Sequence, residues 1–243
     1  MREPDFRIGT AGWTIPAASA SSFPREGSSL ERYAARFDCA EINSSFHRSH
    51  RPGTWQRWAS SVPDGFRFSA KLPREITHQR RLADCSAALA SALAEMEGLG
   101  DRLEILLVQL PPSLVFELSA AGAFFAELRA RWSRGIACEP RHPSWFEPGP
   151  EALLTDRRVA RVAADPARVP VAAEPGGWRG LAYYRLHGSP RTYRSSYDDG
   201  RLEDYAGRLA AEAGPAWCIF DNTASGAATA DALKLKALMT LSL

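Results

Sequence analysis

The sequence predicts an α/β fold, a TIM-type (β/α)8 barrel built by residues 1–243 as one domain. Three observations carry this. Eight short apolar runs recur along the 243 residues with helix-like patterns between them, as parallel βα units read. The length suits such a barrel, which commonly runs to about 250 residues. Several of the runs also finish in charged or amide residues, which a strand buried on both faces has no reason to do unless the strand ends meet around a pocket.

The predicted strands are Phe6 to Gly9, Cys39 to Asn43, Phe66 to Lys71, Leu103 to Gln109, Ile136 to Glu139, Ala160 to Asp165, Ala182 to His187 and Ala216 to Asp221. Between the first two, Ser28 and Glu31 have capping-box spacing ahead of a helix through Tyr33 and Phe37. Trp55 and Trp58, three residues apart, suit a helix packing face. Cys85, Leu89, Leu93 and Met96 form a helical stripe that ends near Gly98 and Gly100, and Phe124, Phe125, Leu128 and Trp132 form another that ends near Gly135. Leu202, Tyr205 and Leu209 make a third before Gly214 and Pro215, and a last helix runs through Ala230, Leu233 and Leu238. Between strands six and seven the connection is irregular, because its prolines and the Gly176–Gly177 pair leave little room for a full helix. The loops from Thr10 to Gly27 and from Gly188 to Gly200 are long, as loops that cover a ligand tend to be.

A hydrophobic content of 45% supports a sizeable core, and a net charge of +2 neither demands nor excludes a nucleic-acid partner. Arginine outnumbers lysine heavily, with lysine only at Lys71, Lys234 and Lys236, and Lys71 lies outside the final helix that holds the other two. The cysteines Cys39, Cys85, Cys138 and Cys218 have no metal-ligand spacing and are expected to be reduced and unpaired. The N-terminus has no apolar signal run, and no apolar stretch approaches the roughly 18 residues of a membrane span. These features predict a cytoplasmic protein with no membrane partner.

The strand ends nominate the site. Alternate residues of a strand share a face, so Glu139 and Arg141, Arg185 and His187, and Glu41 and Asn43 would project in pairs. In a barrel these meet Lys71, Gln109 and Asn222 at the C-terminal mouth. His187 is the best acid/base candidate because imidazole titrates near neutral pH. Arg141, Arg185 and Lys71 exceed what one carboxylate needs, which points to an anionic ligand. Glu41 and Glu139 come from opposite sides of the barrel, which argues against a two-carboxylate glycosidase. Glu41, Glu139, Asp165, His187 and Asp221 lack any close His-Xxx-His pattern, so neither a metal nor another cofactor is expected. Trp13, Trp55, Trp58, Trp145, Tyr193 and Tyr197, interleaved with arginines, suit base stacking, and Tyr193 and Tyr197 suit equally a lid over a small ligand.

Taken in order, IGTAGW from Ile8, EINSSF from Glu41, FRFSAKLPREITH from Phe66, VQLPP from Val108, EPRHPSW from Glu139, YRLHG from Tyr184 and FDNT from Phe220 give a chain that resembles the YecE-like family, also called domain of unknown function 72. The resemblance covers nearly the whole chain and implies a TIM-type barrel without supplying a reaction. Set against the family's usual pattern, this chain has His47 in place of a tyrosine, Pro140 in place of a phenylalanine and Asp221 in place of an asparagine.

The resulting expectation is an enzyme, a metal-independent hydrolase, lyase or isomerase, acting by acid/base chemistry on a small anionic substrate, phosphorylated or carboxylated. Glu41, Glu139 and His187 would be catalytic. Asn43, Lys71, Gln109, Arg141, Trp145, Arg185, Tyr193, Tyr197 and Asn222 would bind the substrate. The alternative is a protein that binds or processes nucleic acid at the same basic, aromatic mouth.

Overall fold

A computed structural model of the chain describes residues 6–241. Segment 1–5, where the sequence predicts no signal run, lies outside the described residues. Ten strand segments form one mostly parallel sheet. Strands β1 (Phe6–Ala11), β2 (Cys39–Ile42), β3 (Arg67–Lys71), β4 (Leu103–Gln109) and β5 (Gly135–Glu139) pair in sequence order. The predicted sixth strand is divided into β6 (Ala160–Arg161) and β7 (Ala163–Asp165). One half pairs with β5 and the other with β9 (Ala182–Leu186), so the chain turning at Val162 draws the sheet into a nearly closed barrel. β10 (Ala216–Phe220) then lies between β9 and β1.

The irregular sixth connection consists of a 3-10 turn at Pro170–Ala173 and a two-residue strand, β8 (Gly176–Gly177), antiparallel to β6. Glu151 fastens it by accepting hydrogen bonds from the Gly177 amide at 2.5 Å and Arg161 Nε at 2.9 Å.

The strands read as continuous apolar runs because both of their faces are covered. Cys39, Ile105, Leu107, Ala137, Tyr183, Trp217 and Ile219 pack together inside the barrel. The intervening Ala40, Phe68, Leu106, Cys138, Tyr184 and Phe220 belong to the larger core under the helices. All four cysteines are buried and free.

Helices α1 (Ser29–Ala34), α2 (Ser44–His47), α3 (Pro52–Ser60), α4 (Ser86–Met96), α5 (Leu118–Arg131), α6 (Pro148–Asp156), α7 (Asp199–Ala210) and α8 (Ala227–Leu241) supply that outer layer. The capping box before α1 has both of its bonds: the Ser28 hydroxyl accepts from the Glu31 amide and the Glu31 carboxylate accepts from the Ser28 amide. The predicted stripes are buried as Leu89 and Met96 of α4, Phe124, Phe125 and Leu128 of α5, and Leu202, Tyr205 and Leu209 of α7. Among the described residues, no helix is long and apolar enough to cross a membrane.

Candidate functional site

Strand alternation builds the site one residue at a time. Tyr183 and Trp217 pack inside the barrel, so Arg185 and His187 follow Tyr183 inward, and Asp221 follows Trp217 and Ile219. The same period carries Cys39 to Glu41, Ala137 to Glu139, and Ser69 to Lys71. The apolar plug thus gives way to charge at the C-terminal ends of the strands.

Arg185 stands at the centre, with none of its surface exposed. Its Nε and Nη2 donate to Glu41 at 3.0 and 2.6 Å, Nη2 donates also to Asp221 Oδ2 at 3.0 Å, and Nη1 donates to Glu139 Oε2. One planar guanidinium therefore ties together carboxylates from three separate strand ends. Glu41 accepts further from the Tyr183 hydroxyl at 2.9 Å, and that hydroxyl lies 2.7 Å from Ser69 Oγ.

The His187 ring bridges two of these carboxylates, with Nδ1 3.0 Å from Asp221 Oδ2 and Nε2 3.1 Å from Glu139 Oε1. Both nitrogens can donate only as the imidazolium. Burial opposes that charge, but the Glu139 carboxylate and the hydrogen bonds to Asp221 and Glu139 outweigh it and raise the ring's pKa. Burial likewise works against ionised Glu139, yet Arg185, Arg141 and His187 hold its carboxyl well below the usual range. Asp221 is lowered by Arg185 and His187 against the same opposition.

Above this floor lies a cavity of about 320 Å3, lined by Glu139 and His187 below and by Arg141, Arg168, Thr192 and Tyr193 around it. Arg141 Nε reaches Glu139 Oε1 at 3.0 Å, while its Nη1 and Nη2 each lie 3.4 Å from the Tyr193 hydroxyl. Tyr193 is 38% exposed and stands edge-on to His187, with ring centroids 5.6 Å apart. Among the described residues, Arg168 forms no ion pair.

Lys71 is buried at the end of β3, and its Nζ sits 4.0 Å from the centroid of the Phe46 ring. Burial and the nearby Arg185 charge bring its pKa down to about 8, against the pull of Glu139, Glu41 and Asp221. Next to it, His78 stacks edge-on with Phe46 and falls to about 4 through burial and the charges of Lys71, Arg74 and Arg141.

Glu41, Glu139, Arg141, Arg185, His187 and Tyr193 thus meet as one hydrogen-bonded group, and Asn43 joins it by donating to Asp221 Oδ1 at 3.3 Å. Other residues nominated for ligand contact have their polar groups engaged within the protein. Arg185 offers no accessible guanidinium to a substrate, because carboxylates surround it. Trp145 is 1% exposed and donates to the Leu114 carbonyl at 2.9 Å, which joins two loops. Tyr197 is 3% exposed, packs against Tyr205 and Phe220, and accepts from the Gly188 amide at 2.8 Å. Asn222 donates to the Ser195 carbonyl at 2.9 Å and to Asp231 at 2.7 Å, and Gln109 donates to the Leu110 carbonyl at 3.1 Å. These polar groups fasten the rim. The expected separation of Glu41 from Glu139 also changes, since both lie on the same guanidinium.

Sequence reasoning left three contributors out of the site. Asp221 was legible as the inward successor of Ile219 at a strand end. Tyr183 reads as core from sequence alone, because only the fold brings Glu41 to its hydroxyl. Arg168 lies in the irregular connection, where no periodicity marks it.

A nearly closed parallel sheet with charged residues gathered at its strand ends defines a TIM-barrel-like α/β protein. A family model described as "Protein of unknown function DUF72" matches residues 7–242, and the chain belongs to that family. The UPF0759 protein YecE of Escherichia coli (strain K12) is 33% identical over 165 residues, covering 65% of this chain and 58% of that relative, less than two thirds of its length. A DUF72 family protein of Enterococcus faecalis V583 superimposes with a TM-score of 0.81 at 19% identity, covering 98% of this chain and 96% of that one. Another, from Thermotoga maritima MSB8, gives 0.78 at 21%, covering 97% and 99%. A xylose isomerase-like TIM barrel/4-hydroxyphenylpyruvate dioxygenase fusion protein gives 0.53 at 14%, with 99% of this chain on 44% of that one. At these identities the structural likenesses establish the fold alone.

Proposed function

We propose that this chain is an enzyme that binds a small anionic substrate at the C-terminal mouth of its barrel and transfers a proton there. The observation that carries the reading is the His187 ring, clamped between Glu139 and Asp221 at the floor of a cavity whose walls include Arg141 and Arg168. A structural salt bridge needs one cation for one anion. Here the buried Arg185 shares three carboxylates with His187 and Arg141, and a further cation, Arg168, with no ion pair among the described residues, faces the same cavity.

The roles follow from access. Arg141 shares Glu139 and reaches toward Tyr193, so it can turn to a substrate carboxylate or phosphate; Arg168 needs no release. Losing Arg141 to the substrate removes one of the charges that hold the Glu139 carboxyl down, which makes Glu139 a stronger base as the ligand arrives. His187 then supplies or accepts the proton through Glu139 or Asp221, and Arg185 positions the carboxylates without touching substrate.

Thermal-shift and calorimetric titration against a panel of phosphorylated and carboxylated metabolites, at several salt concentrations, tests this. Stabilisation by a small anion with shallow salt dependence is expected, and Arg141→Ala should weaken it by about 1.5–3 kcal/mol, the contribution of a charge-assisted bond. Tight oligonucleotide binding with steep salt dependence and no metabolite effect would overturn the reading in favour of nucleic acid.

A further inference from the structure

We infer that Lys71 is a reactive amine that condenses with the carbonyl group of the anionic substrate, so that the substrate class is a small keto or aldehydo acid or a phosphorylated ketone. This rests on the anion-binding reading above and names the second functional group of the ligand. Three lysines occur in the whole chain, and their surroundings differ. Lys234 Nζ lies 2.9 Å from Asp199, and Lys236 Nζ lies 3.1 Å from Asp38, both as partly exposed ion pairs of α8. Lys71 is 8% exposed and has no ion pair among the described residues. Its Nζ faces the Phe46 ring at 4.0 Å, although its charge is felt by Glu41, Glu139 and Asp221.

A lysine needed only to balance those carboxylates would gain most by direct contact with one of them. Arg185 and His187 fill those positions instead, and leave the amine on an aromatic face at the rim of the charged ring. The Phe46 face favours the ammonium form, but burial and the Arg185 charge oppose it more strongly and no carboxylate pairs with it directly, the condition under which lysine becomes a nucleophile. With the pKa at about 8, a useful fraction is neutral near physiological pH.

The step balances without a further reactant. The neutral amine adds through its lone pair to the carbonyl carbon, and the carbonyl oxygen takes up a proton to give a carbinolamine. Loss of that hydroxyl as water, with a proton supplied from the His187 side of the site and the remaining N–H proton released, gives the imine. One carbonyl compound is consumed and one water formed.

Reductive trapping tests this on the intact chain. Pyruvate and dihydroxyacetone phosphate serve as probes with sodium cyanoborohydride, and peptides are mapped by mass spectrometry. The expected result is a gain of the probe's mass less one oxygen atom at Lys71, at least about tenfold above Lys234 and Lys236 at limiting probe, as for an activated amine against ordinary ones. The adduct should vanish in Lys71→Arg, and because the mapping is done on the unsubstituted protein the assignment does not depend on that variant folding. Equal labelling of all three lysines overturns the inference. So does stabilisation by a probe with no adduct, which leaves the anion site standing; absence of both effects overturns the anion-site reading as well.

Discussion

Replacing Arg185 by methionine removes the positive charge from a site where Glu41 and Arg185 have no exposed side-chain surface and Glu139 and Asp221 have 2% and 9%. His187 and Arg141 still serve Glu139 and Asp221, so the shortfall is one cation among the carboxylates. A buried charge left without its partner costs about 3–5 kcal/mol. The group of carboxylates escapes part of that cost by taking up a proton. An ordinary carboxyl titrating near ~4.3 requires about 3.7 kcal/mol to be protonated at pH 7, at about 1.36 kcal/mol per pH unit. The expected loss is therefore about 3–4 kcal/mol at pH 7, falling to about 1 kcal/mol at pH 5, where protonation is nearly free. In a chain of this size the neutral-pH loss corresponds to about 7–15 °C in Tm. Urea unfolding of both proteins at pH 5, 6 and 7 reads the difference directly. A loss below about 1 kcal/mol at pH 7, or one that does not shrink toward pH 5, would refute the view that Arg185 neutralises a buried carboxylate group.

Further outcomes are expected. Histidine NMR should place the His187 midpoint above 6.5 and that of His78 near 4. Because the folded pKa of His187 is raised, its stabilisation is complete below the ordinary imidazole value and is lost as pH rises through the folded one; Glu139, lowered in the fold, contributes above the ordinary carboxyl value and loses that contribution in acid. A His187→Gln protein should accordingly lose the alkaline limb of the stability profile, which denaturation at pH 6 to 9 would check. Gly9→Ala places a Cβ 2.3 Å from the Cys39 carbonyl oxygen and should cost about 1–3 kcal/mol as β1 is pushed from β2, measured by chemical denaturation. Ser28→Ala removes the cap from α1 and should cost about 1 kcal/mol in the same assay.

The sequence alone determined the barrel and the strands that frame its mouth, because apolar runs and helical stripes are local patterns set by burial on two faces or one. Ser28 and Glu31, the Leu89 to Met96 stripe and the Phe124 to Leu128 stripe each encode their element in a few neighbouring residues. Glu41, Glu139, Arg185 and His187 could be nominated for the same reason, since strand alternation gives direction. What alternation cannot give is the partner. Arg185 reads as an anion anchor until Glu41 and Asp221, 144 and 36 residues away in sequence, close on its guanidinium. Trp145, Tyr197 and Asn222 read as ligand groups until the carbonyls, amides and rings they fasten come into view. The division of the sixth strand at Val162 was equally hidden, because it answers to barrel closure and not to any local preference. Tertiary structure alone decided which charges cancel inside the barrel, Arg141 on Glu139 among them, and which, at Arg168 and Lys71, form no ion pair among the described residues: the energy of a charge depends on what surrounds it in space, and sequence order does not record those neighbours.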